Sequence, residues 1–194
     1  LAVMYETIQA TSHILDLDQL LERIMDLVFR SIAADRGCIM LHNPDGGGFE
    51  PKAVRWRDTT VTEEKIALSR TIMDYVLREK QGVLVADASS DSRFASGKSI
   101  IRYGICEAIC VPMKGRHETL GVIYLDTRTT ARDAMSRPGG ASQFTEDHLA
   151  LAVAIGHQAA LAVEETRYHQ AMMQAERLAA VGHTIAALSH HIKN

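Results

Sequence analysis

Apolar residues repeat every seven positions along the last part of the chain. One column of this repeat contains Ala171, Leu178, Ile185 and Ile192, and a second column contains Val181 and Leu188. In a stretch without proline, this spacing predicts a helix that buries one narrow face against a partner helix. Glu176, His183 and His190 each stand two residues before a position of the first column. They are therefore predicted to lie on the outer, solvent-facing side of that helix.

The rest of the pattern predicts helices separated by short strands. Helical spacing covers residues 3–15, the run from Asp18 to about Ala34, the run from Ser69 to about Arg78, and the chain from Thr145 onwards. Strands are predicted at 38–42, 52–57, 83–86, 108–113 and 120–125, with turn residues at 43–48 and 114–119 closing two hairpins. The last two strands are apolar on both faces, so both faces of the sheet should be covered. The predicted class is α+β.

Local signals predict where several elements begin and end. The segment Asp16-Leu17-Asp18 is expected to cap the helix that follows it, Ser69 to cap the next helix, and Gly82 to end that helix. Pro112 has no amide proton, so it predicts a bulge or an edge position. The polar stretch 126–142 predicts a mobile loop.

Two apolar stripes follow the first part of the long C-terminal helix. One contains Leu149, Val153, Gly156, Ala160 and Val163, and the other contains Ala152, Ile155, Ala159 and Ala162. Two packing partners are therefore expected, the sheet or first helices on one side and a second chain on the other. The pattern weakens from Glu164 to Gln170 before the heptads begin, and an interrupted heptad can change phase at low cost.

Composition and charge narrow the possible functions. The chain has 194 residues, 46% of them hydrophobic, which allows one ordinary domain with an extension. A net charge of −3 and the lack of a basic cluster argue against nucleic-acid binding. The longest apolar run, 150–163, is too short to span a bilayer, and the first residues do not resemble a signal peptide. Cys38, Cys106 and Cys110 are an odd number in apolar segments, which favours reduced thiols in a cytoplasmic protein.

Several short segments of the sequence are informative as a set. They are Leu17-Asp-Leu-Asp-Gln-Leu-Leu-Glu-Arg-Ile, Ala34-Asp-Arg-Gly-Cys-Ile-Met-Leu, Val85-Ala-Asp-Ala, Ser92-Arg-Phe, Tyr103-Gly-Ile, Ile109-Cys-Val-Pro-Met and Leu120-Gly-Val-Ile-Tyr-Leu. Together they resemble a GAF domain. The resemblance implies an antiparallel sheet with helices on both faces and a small-ligand pocket between one sheet face and the segments at 69–103. The predicted organisation is an N-terminal helix at 1–16, a GAF sensor domain at 17–165, and a coiled-coil linker with the start of a phosphoacceptor helix at 166–194.

Two segments near the end of the chain are informative together. They are Glu176-Arg-Leu-Ala-Ala-Val-Gly and Ala187-Leu-Ser-His-His-Ile-Lys-Asn. They carry a resemblance to the phosphoacceptor segment of two-component sensor histidine kinases. It implies a homodimer, His190 as the phosphorylated histidine, and ATP, Mg²⁺ and a response regulator acting through other parts of a longer protein, of which this chain is expected to be an excerpt. No cofactor is expected within the chain itself. The family usually has an acid after this histidine, and here His191 stands in its place, where a second imidazole could act as the base.

The sensed ligand is less clearly indicated. Trp56, Asp87, Phe94 and Tyr103 are candidates to line a pocket, although each could equally be a packing residue. The Asn-Lys-Phe-Asp-Glu signature of many cyclic-nucleotide-binding GAF domains is absent, and none of the three cysteines has the neighbouring histidine of bilin-binding relatives. No metal site is predicted.

Two other functions remain open at this stage. The chain could be a regulatory ligand-binding module without phosphotransfer, which the replacement of the acid by His191 would favour. It could also be an enzyme, because some stand-alone GAF domains reduce free methionine sulfoxide with cysteines. Cys38, Cys106 and Cys110 lie in apolar strand-like segments, where unreactive buried thiols are common.

Overall fold

The fold is an antiparallel sheet with helices on both faces, as predicted. The computed structural model describes residues 16–43, 46–57, 68–86, 91–94, 107–127 and 143–193, with side chains described as far as Gly182 and at Ile185. The elements are α1 (Leu17–Ser31), β1 (Arg36–Asn43), β2 (Gly48–Trp56), α2 (Arg70–Glu79), β3 (Val83–Val85), β4 (Glu107–Lys114), β5 (Thr119–Thr127) and α3 (Glu146–Lys193). The strands form one sheet in the order β2-β1-β5-β4-β3, and every neighbouring pair is antiparallel.

Helix α1 begins within the predicted capping segment and ends earlier than predicted. Of the residues Asp16–Asp18, Asp16 is the N-cap, because its carboxylate accepts a hydrogen bond from the amide of Gln19 at 3.0 Å. The helix ends at Ser31, before the predicted end near Ala34. The guanidinium of Arg57 donates to the carbonyl oxygens of Phe29, Ile32 and Ala34, so a residue after β2 satisfies the carboxyl end of the helix.

Helix α2 has the predicted cap at its start and a different residue at its end. The Ser69 hydroxyl accepts a hydrogen bond from the Ile72 amide at 3.4 Å. The last helical residue is Glu79, and the C-cap is Lys80, whose φ of 54° is left-handed, and not Gly82. Gly82 has a packing role instead, because an added Cβ there would lie 2.8 Å from Val153 Cγ2 of α3.

Four of the five strands are longer than predicted, and β3 is one residue shorter. Strand β2 begins at Gly48, and β5 extends to Thr127, so Asp126 belongs to the sheet and not to the expected loop. Pro112 pairs with Val122 of β5, whereas the pairing of β4 with β3 ends at Cys110, in keeping with its predicted edge position. The predicted helix at 3–15 and most of the loop at 126–142 lie outside the described residues.

The two faces of the sheet support two apolar clusters. Helices α1 and α3 cover one face and form the larger cluster with alternate residues of β1, β4 and β5. Helix α2 covers the other face. Along α3 the two predicted stripes merge into one buried face, which comprises Ala152, Ile155, Gly156, Ala159, Ala160, Val163 and Thr166. Val153 is 41% exposed, and the expected second chain on α3 stays a prediction.

Candidate functional site

The first candidate site is the sheet face beneath α2, which we call the sensor face. Antiparallel pairing places Cys38 of β1 opposite Tyr124 of β5, and Tyr124 opposite Cys110 of β4. These three residues therefore form a row across the middle of the sheet. Ile72 and Val76 of α2 pack over the same face, and all five side chains are buried. The sensor face is thus mostly apolar, as small-molecule sites usually are.

A buried ion pair lies in the next row of the sensor face. Arg36 of β1 is opposite Asp126 of β5, and its Nε and Nη2 donate to the two carboxylate oxygens at 2.6 Å each. The side chains are only 3% and 1% exposed. The Arg36 guanidinium also lies 5.7 Å from the centre of the half-buried Trp56 ring on β2. This two-bond geometry fixes the orientation of the guanidinium within an apolar layer.

Within the described residues, two polar groups of the sensor face have no hydrogen-bond partner at normal distance and angle. They are Nη1 of Arg36 and the hydroxyl of Tyr124, and both atoms are buried. Burial is the main reason that the pKa of Tyr124 is well above its usual value, and the nearby Asp126 charge adds to the effect. Buried donors without partners are uncommon in native proteins. These two groups are the donors that the sensor face could offer to an acceptor atom of a ligand.

The structure places two of the four predicted pocket residues on this face. Trp56 lies at its β2 edge, beside Arg36. Phe94 is fully buried and makes an edge-to-face contact with Tyr75 of α2 at 5.3 Å between ring centres. That contact makes Phe94 a packing residue of the cluster. Asp87 and Tyr103 lie outside the described residues.

Sequence reasoning did not identify Arg36, Tyr124 or Asp126 as candidate residues. Period-two alternation was the available signal, because Arg36 precedes Cys38 by two residues and Asp126 follows Tyr124 by two. Each charged residue therefore shares a face with a buried one. Their partnership could not be derived in the same way, because they are 90 residues apart in sequence.

The described cysteines are poor nucleophiles. Burial raises the pKa of the Cys38 thiol to about 12, and it also raises the pKa of the Cys110 thiol. Both residues are free cysteines in the buried cluster. Since the thiolate is the reactive form, neither thiol suits nucleophilic chemistry near neutral pH. Cys106 lies outside the described residues.

The second candidate site is the part of α3 that extends beyond the sheet. Every described side chain from Tyr168 to Gly182 is exposed, as is Ile185. Three heptad positions, Leu178, Val181 and Ile185, are 66%, 55% and 59% exposed. His190 and His191 lie within the helical span of α3, and their side chains are outside the described part of the chain. An apolar stripe with this exposure is suited to contact with another helix.

Two further features are absent from the described residues. No group of three or more His, Cys, Asp or Glu side chains there could hold a metal ion. No helix in the same part of the chain is both long and apolar enough to cross a bilayer.

Residues 16–163 match the protein family described as the GAF domain. Comparison with curated proteins gave no match. Among solved structures, similar folds include the GAF domain/HD domain protein of Geobacter sulfurreducens, with 16% identity and a TM-score of 0.58 over 81% of this chain and 98% of that one. The GAF domain of a phosphoenolpyruvate-protein phosphotransferase from Coxiella burnetii has 14% identity and a TM-score of 0.64 over 88% and 95% of the two chains.

A third similar structure is an enzyme. It is the free methionine-R-sulfoxide reductase of Neisseria meningitidis in complex with its substrate, with 14% identity and a TM-score of 0.63 over 86% of this chain and 89% of that one. At such identities these likenesses establish the fold and not the activity.

Proposed function

The chain belongs to the GAF family of regulatory and sensory modules, and we propose that it is the sensory and dimerising segment of a cytoplasmic two-component histidine kinase. In this proposal the GAF domain responds to a small ligand or partner at the sensor face and controls phosphorylation of His190. Phosphate would come from Mg-ATP bound elsewhere in the longer protein and pass to a response regulator.

The observation that carries the proposal is the continuity of α3. The helix runs from Glu146 to Lys193 without a break. Its first part is buried against the sheet as far as Val163 and Thr166, and its last part contains the Ser-His-His-Ile-Lys segment. The distance from Val163 to His190 along a straight helix is about 40 Å. A continuous helix can carry a rotation or shift of the domain to a distant histidine.

Dimerisation is the second part of the proposal. We propose that the exposed positions Leu178, Val181 and Ile185 pack against the same positions of a second copy, because apolar heptad positions are stabilised when two such helices associate. Parallel pairing would leave His190 two residues before the seam position Ile192, on the outer side, where an imidazole can accept phosphate.

The test is phosphorylation of the full-length protein with labelled ATP. Wild type is compared with His190→Gln and His191→Gln, and with His183→Gln as a matched control one heptad upstream on the same face. Acid-labile label that is lost in His190→Gln and retained in His183→Gln supports the proposal. Loss in His191→Gln as well would assign His191 a role as base or alternative acceptor. Absence of label in folded, ATP-binding protein would contradict phosphotransfer and favour a regulatory module alone.

The reductase alternative is disfavoured by the described thiols. Cys38 and Cys110 are buried and have raised pKa values. We expect a thiol reagent at neutral pH to leave both cysteines unmodified in the native protein and to modify them after denaturation. Rapid modification of either residue in the native protein would restore the enzymatic hypothesis.

A further inference from the structure

Two side chains of helix α3 form hydrogen bonds with the turn between β4 and β5. Both carboxylate oxygens of Glu164 accept hydrogen bonds from the backbone amide of Arg116, at 3.0 and 3.1 Å. One heptad earlier, His157 Nδ1 lies 2.9 Å from the carbonyl oxygen of Lys114. Since a carbonyl oxygen can only accept, the ring donates from Nδ1. We call these contacts of His157 and Glu164 with residues 114–116 the hairpin clasp.

Gly115 allows the hairpin clasp to close. An added Cβ at this position would overlap the carboxylate of Glu164. The Glu164 carboxylate can lie this close to the turn because residue 115 has no side chain. Replacement by alanine should displace the Glu164 side chain without removing its charge.

The clasp residues belong to the same heptad column as the proposed dimer seam. His157 and Glu164 are seven residues apart, and the column continues through Ala171, Leu178 and Ile185. At His157 and Glu164 this column contacts the β4–β5 hairpin of the same chain. At Leu178 and Ile185 it is exposed. The contact with a second helix along this column must therefore end where the hairpin covers the column, at Glu164.

The hairpin also connects this column with the sensor face. Strands β4 and β5, which it joins, carry Cys110 and Tyr124 in the central row of that face. A change in the position of these strands would move the turn, and with it the contacts to Glu164 and His157. The clasp is thus a physical connection between the face that would bind a ligand and the helix column that would bind a second copy.

We propose that the hairpin clasp sets the point at which two α3 helices begin to associate, and that its opening lets the contact extend towards the domain. The inference rests on the proposed dimeric kinase segment and adds a regulatory element to it. Arg167 lies two heptads before Val181, in the second apolar column, and about one helical turn after Glu164. The extension would bring Arg167 close to the same residue of the other copy.

The test is disulfide cross-linking in the full-length protein, with Cys106→Ser as the background and a mild oxidant. Leu178→Cys reports the seam itself, and Arg167→Cys reports its extension. Gly115→Ala opens the clasp by steric conflict, and Glu164→Gln weakens it by removing the charge. The controls are Gly48→Ala, where an added Cβ meets nothing within 4 Å, and Glu165→Gln on the exposed neighbouring residue. Exchange of the Arg116 amide with solvent shows whether the clasp has opened.

The expected result is cross-linking at position 178 in every background. At position 167 we expect cross-linking to rise by about fivefold or more with Gly115→Ala and Glu164→Gln, but not with the controls. Unchanged cross-linking at 167 beside efficient cross-linking at 178 would overturn the inference and leave the proposed dimer intact. Failure at 178 would contradict the dimer itself. Unchanged exchange of the Arg116 amide in Gly115→Ala would show that no clasp is closed in solution.

Discussion

At the scale of single residues, the Arg36–Asp126 pair is the contact that gives the sensor face its polar character. Two hydrogen bonds of 2.6 Å join the side chains in a layer that water does not reach. Removal of one partner would leave the other charge buried without compensation, which is far more costly than removal of both. The pair can therefore be tested by single and double substitution.

We predict that Asp126→Asn lowers the free energy of unfolding by about 3 kcal/mol or more. The double variant Arg36→Met with Asp126→Leu should be less destabilised, because it removes both charges. Asp91→Asn is the control, since the Arg93 and Asp91 side chains are 43% and 17% exposed and their ion pair should contribute about 1 kcal/mol or less. Urea denaturation measures all three variants, and equal losses for Asp126→Asn and Asp91→Asn would contradict the described burial.

A second prediction concerns stability at alkaline pH. Burial raises the pKa of Cys38 from 9.0 to about 12, so the unfolded chain releases this proton at lower pH than the native protein. The contribution to stability is complete below pH 9 and is lost as pH rises towards 12. Between pH 9 and pH 10.5 the expected loss is on the order of 2 kcal/mol. Urea denaturation across this pH range should show a smaller loss of unfolding free energy in Cys38→Ala than in wild type. The same dependence of unfolding free energy on pH in both proteins would contradict the prediction.

At the scale of the elements, the strands and helices could be predicted because apolar residues recur at a regular spacing over most of the length of each element. The capping segment of α1 could be predicted to within two residues, because Asp16 and Asp18 carry equally good capping groups and only the backbone geometry selects Asp16. Gly82 was assigned the end of α2 because glycine commonly ends helices. Glycine is required at position 82 because the backbone there packs closely against Val153, about 70 residues later in the chain. Local sequence patterns do not indicate such a distant contact.

The exposed part of α3 leads to a prediction about association. Leu178→Glu places a charge on the proposed seam and should weaken dimerisation by about tenfold or more in Kd. His169→Glu introduces the same charge on the outer side, one heptad before Glu176, and should leave the dimer unchanged. Sedimentation equilibrium of wild type and both variants measures the effect, and equal Kd values for the two variants would place the interface elsewhere.

At the scale of the whole molecule, the domain and the histidine segment share one helix. The fold class could be predicted because apolar strands covered on both faces require helical layers on both sides. The buried polar contacts of the sensor face could not be predicted. Arg36 and Asp126 lie near strand ends, and a charged residue in such a position is usually taken as part of the adjoining loop. The hairpin clasp likewise depends on the approach of Glu164 to residues 115 and 116, which no local pattern indicates.

The central claim is that α3 carries the state of the GAF domain to His190. The most direct measurement is autophosphorylation of full-length variants with one, four or seven alanines inserted after Gln170. One residue rotates His190 by about 100° relative to the domain, whereas seven restore the heptad phase. We predict that the basal rate changes with one or four alanines and returns close to the wild-type rate with seven. A rate that is independent of phase, or that falls steadily with inserted length, would contradict transmission through the helix.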